Sequence, residues 1–119
     1  LSEPVLILLE KQKKRSKHNL VFPSPRANNA LSDMALTKFL HKHKAKSDTP
    51  GRTATGHGFR SSFRDWASEN AYPENLAESA LAHKIKNAVE AAYHRTDLLE
   101  QRRPMMGDWA KLVTSSKII

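Results

Sequence analysis

Residues 57–67 read His57-Gly58-Phe59-Arg60-Ser61-Ser62-Phe63-Arg64-Asp65-Trp66-Ala67. On a helix turning ~100° per residue, Phe59, Phe63, Trp66 and Ala67 share one side, and His57, Arg60 and Arg64 share another. Burying the aromatic side fixes the backbone and holds the cations out. Near the helix start, free N–H groups add to their attraction for an anion. A lone His-x-x-Arg pair more often caps a helix or pairs on a surface, so the rest of the chain decides what this one does.

Two further stretches follow, Leu81-Ala82-His83 and Ala91-Ala92-Tyr93. Two imidazoles, a guanidinium and a phenol in one region form a set able to cut a phosphodiester without a metal. Tyrosine can attack phosphorus as a covalent nucleophile. Arginine and histidine can neutralise the charge that builds on the non-bridging oxygens, and a histidine can assist proton transfer. The set suits DNA strand breakage and rejoining.

This ordered combination resembles the tyrosine site-specific recombinases, and most closely the integrases of satellite-phage and genomic-island type. Their catalytic domains carry a His-x-x-Arg box, a downstream Leu-(Gly/Ala)-His box and a tyrosine about ten residues beyond it. His57 and Arg60 match the first box, His83 the second and Tyr93 the nucleophile. Val21-Phe22-Pro23-Ser24-Pro25-Arg26, Leu31-Ser32-Asp33 and the run from Asn87 to Asp97 are also similar to that subgroup, so the resemblance covers nearly the whole chain.

The resemblance implies a mainly α fold: the C-terminal helical portion of a tyrosine-recombinase catalytic domain, with at most a short strand near Leu20-Phe22. It also implies that residues 1–119 are the distal part of that domain. The family uses a first arginine upstream and a lysine on a β-hairpin, and neither matches a segment of this chain. Losing one preorganised oxyanion donor costs roughly 3 to 4 kcal/mol of transition-state stabilisation, so the isolated stretch is expected to be inactive. The implied partners are double-stranded DNA attachment sites and other recombinase protomers in a synaptic complex. No cofactor is implied.

Composition agrees with such partners. Of 119 residues, 20 are Lys or Arg against 12 Asp or Glu, a net charge of +8 that suits a polyanion and salt-sensitive association. Lysines cluster at Lys11, Lys13, Lys14 and Lys17 beside Arg15, and again at Lys38, Lys42, Lys44 and Lys46. At 119 residues the chain is one domain or a piece of one, and its 39% hydrophobic content fits a globular chain. There is no cysteine, which excludes disulfides and thiolate metal sites. Val5-Leu6-Ile7-Leu8-Leu9 is far too short to span a bilayer, so no membrane partner and a cytoplasmic setting are expected, and the resemblance implies that the setting is bacterial and nucleoid-associated.

The local patterns predict a first helix from about Glu3 to Lys14, capped by Ser2, with Val5, Leu8 and Leu9 as its buried stripe. Ser32 reads as the cap of a second helix to about Lys44, with Leu31 and Leu36 as a hydrophobic staple and Leu36, Phe39 and Leu40 as its core face. Residues 45–55 read as a loop. Pro73 fits the first turn of a helix ending near Ala82, with Leu76, Ala80 and Leu81 facing inward.

A single straight helix would turn Tyr93 about 80° from His83 and lift it ~15 Å, so a break is predicted at Lys84–Asn87, followed by a helix over Ala88–Tyr93. Tyr72, the other tyrosine, reads as a packing or turn residue. Asp97 with Glu100 suggests a capping box for a last helix with an apolar stripe of Leu98, Leu99, Met105, Met106, Trp109, Leu112 and Val113. Pro104 inside that pattern predicts two helical pieces meeting near Arg103-Pro104.

Two other readings stand beside the catalytic one. A non-catalytic basic DNA-binding module would need only the charge and the helices. A metal site at His41 and His43 is disfavoured, because one intervening helical residue sets their rings about 160° apart.

Overall fold

The computed structural model describes residues 1–25, 29–83 and 97–115. It is mainly helical, with α1 over Glu3–Arg15, α2 over Ala35–Lys42, α3 over Gly56–Glu69, α4 over Glu74–Ala80 and α5 over Leu99–Thr114. The chain divides into two compact units, one of Val5–Phe59 and one of Arg60–Ile119 with Leu1–Pro4.

In the Val5–Phe59 unit the one buried side chain among the described residues is Leu40 of α2. The stripe predicted for α1 is not buried: Val5 and Leu9 are half-covered and Leu8 lies in solvent. The second helix begins three residues after Ser32 and has no side-chain cap. The Ser32 carbonyl instead accepts from the Ala35 N–H at 2.9 Å, and Met34 holds the cap position. Leu31, Leu36 and Phe39 are exposed, so the staple does not form and the core face reduces to Leu40. Leu20–Phe22 is a run of bends, and extended pairing falls one residue later, as an isolated antiparallel bridge between Pro23 and Ala30.

The loop predicted over 45–55 is closed by its own pairing. Lys46 and Thr53 form an antiparallel bridge, and the turn at its tip is tightened by the Thr49 N–H donating to Ser47 Oγ at 3.2 Å. Thr55, read as the end of that loop, caps α3. Its Oγ1 accepts from the Gly58 N–H at 3.0 Å and satisfies a donor that the first turn leaves free.

The core lies in the other unit. Phe63 and Ala67 of α3, Leu76 and Ala77 of α4 and Met105 of α5 form one buried cluster, with Trp66, Tyr72, Leu81, Met106 and Trp109 packed around it. Phe63 meets Trp109 edge-on with centroids 5.4 Å apart, and Trp66 lies 5.1 Å from the same indole. Such pairs add about 0.5 to 1.5 kcal/mol each beyond the area they bury. Tyr72 is the packing residue predicted, 5.4 Å from Trp66, and its hydroxyl donates to Asp108 Oδ2 at 2.8 Å.

The last helix corrects three expectations. It runs unbroken through Pro104. The proline is sixth in the helix, so the N–H it lacks would have met the carbonyl of Glu100, in the exposed first turn where water can serve it. Burial of Met105 and Ala110 offsets the cost. Its apolar stripe is narrower than predicted, because Leu99, Leu112 and Val113 are exposed. At its start Asp97 Oδ1 accepts from the Leu99 N–H at 3.1 Å, whereas Glu100 pairs forward with Arg103 at 2.8 Å and does not close a capping box.

Helices α2, α3 and α4 end alike. Lys44, Ala71 and Ala82 take left-handed conformations with φ of 51°, 57° and 53°. In each case the next N–H reaches back five residues, Ala45 to Leu40, Tyr72 to Ala67 and His83 to Glu78, at 3.0, 2.9 and 3.0 Å. This is the Schellman arrangement, which glycine usually supplies. Here all three positions carry side chains.

Candidate functional site

Helix α3 carries both residues of the first box. His57 and Arg60 are one turn apart in its first half, and both are exposed. His57 falls in the Val5–Phe59 unit, whereas Arg60 and His83 fall in the other. Tyr93, the predicted break at Lys84–Asn87 and the predicted helix over Ala88–Tyr93 lie outside the described residues.

Within the second unit, Arg60 and the Leu81-Ala82-His83 box are brought together. An Arg60 Nη2 donates to the main-chain oxygen of Leu81. Leu81 is the residue that caps α4, so its carbonyl is among those that the helix end leaves without an internal partner. One guanidinium N–H satisfies it, and the fork keeps further donors.

His83 is held twice by Glu78. Its backbone N–H donates to the Glu78 carbonyl, and its Nδ1 lies within hydrogen-bond distance of Glu78 Oε2. The other oxygen of that carboxylate is 2.8 Å from Arg64 Nε, and Arg64 Nη2 pairs with Glu74 Oε1, also at 2.8 Å. Arg64 thus bridges two carboxylates of α4 and ties α3 to it. His83 keeps 39% of its side-chain surface and Glu78 only 25%, so the ring is reachable and its partner is mostly covered.

Glu78 and the bridging role of Arg64 were missed in the sequence. Side chains five apart do not share a helix face, and only the left-handed turn at Ala82 folds position 83 back over position 78. The signal that could have exposed the pair is the end of the helix just before the histidine.

His83 and Asp97, the described residues on either side of residues 84–96, both meet α4. His83 closes the helix on one side, and on the other Ser79 Oγ donates to the carbonyl of Asp97 at 3.3 Å while the Ser79 carbonyl accepts from Arg102 Nη1 at 3.2 Å.

His43, one half of the disfavoured metal pair, lies against Phe39 with ring centroids 4.4 Å apart. Among the described residues no helix is long and apolar enough to cross a membrane.

No family model matches the chain, and no solved structure does. Curated relatives do. The prophage integrase IntA of Escherichia coli K12 is 37% identical over 118 residues, covering 98% of this chain and 27% of that protein. The prophage integrase IntZ of the same strain is 34% identical over 117 residues, 97% of this chain and 28% of the relative. The integrase of Enterobacteria phage P4 is 32% identical over 114 residues, 92% and 25% respectively. Over nearly its whole length the chain is thus homologous to phage and prophage integrases, of which it spans about a quarter.

Proposed function

We propose that residues 1–119 are the distal part of the catalytic domain of a DNA integrase of the tyrosine type, which cuts and rejoins double-stranded attachment sites. The observation that carries this reading is the hydrogen bond from Arg60 to Leu81, which joins the arginine of the first motif to the second motif within one unit. Likeness to named integrases along the chain supports it, as does the charge of +8.

In this mechanism the Tyr93 phenolic oxygen bonds to the scissile phosphorus as the 5′-oxygen leaves and takes up a proton. The products are a 3′-phosphotyrosyl link and a free 5′-hydroxyl. Attack by a partner strand's hydroxyl reverses the step, so bond energy is conserved and no ATP is used. A free phenol has a pKa of about 10, so the attack depends on cationic stabilisation and removal of its proton. Arg60 would hold a non-bridging oxygen in fork geometry. His57 and His83 donate to phosphate oxygens and share the proton transfers.

The full-length protein supplies the remaining arginine and lysine, works with other protomers in a synaptic complex, and acts in the bacterial cytoplasm on nucleoid DNA. A nicked DNA substrate that traps covalent intermediates tests the reading in that full-length integrase. Wild-type protein should accumulate a covalent adduct, and Tyr93→Phe should form none. An adduct that survives Tyr93→Phe overturns the assignment. Salt-sensitive binding with no adduct from the wild type would leave a basic DNA-binding module instead.

A further inference from the structure

We propose that Glu78 is a positioning residue for His83: it holds the neutral imidazole in the tautomer protonated at Nδ1, so that Nε2 faces DNA as a base, takes up a proton and, in the imidazolium so formed, donates to a phosphate oxygen. This rests on the reading of His83 given above. Which ring nitrogen of a neutral histidine carries the proton is set by the bond the other nitrogen's side makes. Glutamate at neutral pH offers only acceptors, so a ring nitrogen against Glu78 Oε2 must donate, and Nδ1 is the nitrogen there.

Three contacts make the carboxylate a fixed reference. The His83 backbone is tied to the Glu78 carbonyl at 3.0 Å, which fixes the start of the side chain. Arg64 Nε lies 2.8 Å from Glu78 Oε1 and favours this orientation of the carboxylate by charge, without hydrogen-bond alignment. Glu74 holds Arg64 from the other side of its guanidinium. Ring, carboxylate and guanidinium therefore stand in series, and among the described residues 39% of the His83 side chain is left exposed. Among the described residues, the groups facing His83 are Glu78 of α4 and, through it, Arg64 of α3. Arg60 is spent in part on Leu81 in the same box.

The arrangement distinguishes two substitutions. In Glu78→Gln the amide oxygen can still accept from Nδ1–H, whereas in Glu78→Leu nothing can. Full-length integrase labelled with ¹⁵N-histidine and read by long-range ¹H–¹⁵N correlation should show His83 as the Nδ1–H tautomer in the wild type and in Glu78→Gln, and as a mixture in Glu78→Leu. Cleavage of the nicked substrate should fall at least about tenfold in Glu78→Leu, with DNA affinity unchanged, and should recover most of the way in Glu78→Gln. An Nε2–H tautomer in the wild type, or wild-type cleavage by Glu78→Leu, overturns the proposal. If Glu78→Leu does not fold, the wild-type tautomer and the Glu78→Gln rate still decide it. The Tyr93→Phe control separates failures: an adduct that disappears with Tyr93→Phe while Glu78→Leu cleaves normally removes the positioning role and leaves the nucleophile standing.

Discussion

The guanidinium of Arg60 donates to the carbonyl of Leu81, twenty-one residues further along the chain. One side chain thus completes the end of α4 and retains further donors. Lysine has the charge but no fork, and cannot serve both directions in fixed geometry. In the full-length integrase, Arg60→Lys should reduce single-turnover cleavage by ~100-fold or more while DNA affinity changes far less. Cleavage within a few-fold of wild type would show that Arg60 serves the fold alone.

Ala82 adopts φ of 53° immediately before His83. A left-handed residue with a Cβ costs about 1 to 2 kcal/mol, and glycine gives back part of that through its freer unfolded chain. Ala82→Gly should raise stability by about 0.5 to 1 kcal/mol in urea titrations. Ala71→Gly, at the equivalent end of α3, should do the same, and a loss of stability at either site would mean that the turn is not strained.

Tyr72 and Asp108 give the unit a pH signature. The Lys111 ammonium, and next the Tyr72 hydroxyl, hold the Asp108 carboxyl below its ordinary value. Asp108 in turn, by accepting the phenolic proton's hydrogen bond, pushes Tyr72 above 10.0. A depressed carboxyl contributes stability above its unfolded pKa, and that contribution is lost as pH falls through the folded value. A raised phenol contributes below its unfolded pKa and loses this as pH rises through the folded one. Tyr72→Phe should therefore lower Tm most at neutral pH, with the gap to wild type narrowing in both strong acid and strong alkali. A gap independent of pH would assign the whole effect to packing against Trp66.

Pro104 inside α5 leaves the Glu100 carbonyl without a helical donor. Proline costs about 3 kcal/mol relative to alanine in a helix interior, offset by roughly 1 kcal/mol through its stiffer unfolded chain. Pro104→Ala should stabilise the protein by about 1 to 2 kcal/mol in thermal unfolding. A destabilised variant would show that the proline is needed to place Met105.

The division of α3 into apolar and cationic sides was legible because a helix repeats its neighbours every turn: Phe63 and Ala67 are only 5% and 0% exposed, and Arg60 and Arg64 stand out. Phe59 belongs to the same stripe by angle yet is 52% exposed, since periodicity says which residues align and not how far the core extends. The α1 stripe fails for the same reason. The ends of α2 and α4 were read to within two residues, at about Lys44 and near Ala82, although the left-handed stops there carry no glycine to see. The proline rule misplaced a break in α5 because propensity is local and burial of Met105 is not. Glu78 escaped notice because its contact with His83 exists only after the chain has turned.

Among the described residues, the unit ending at Phe59 buries Leu40, whereas the unit beginning at Arg60 contains Phe63, Ala67, Leu76, Ala77, Met105 and Ala110. Local opening is easiest where few apolar contacts must be given up. Amide hydrogen exchange should therefore slow sharply along α3, with the histidine of the first box on the fast side and the arginine leading into the slow one. The two members of one motif would then differ in how often they are free to move.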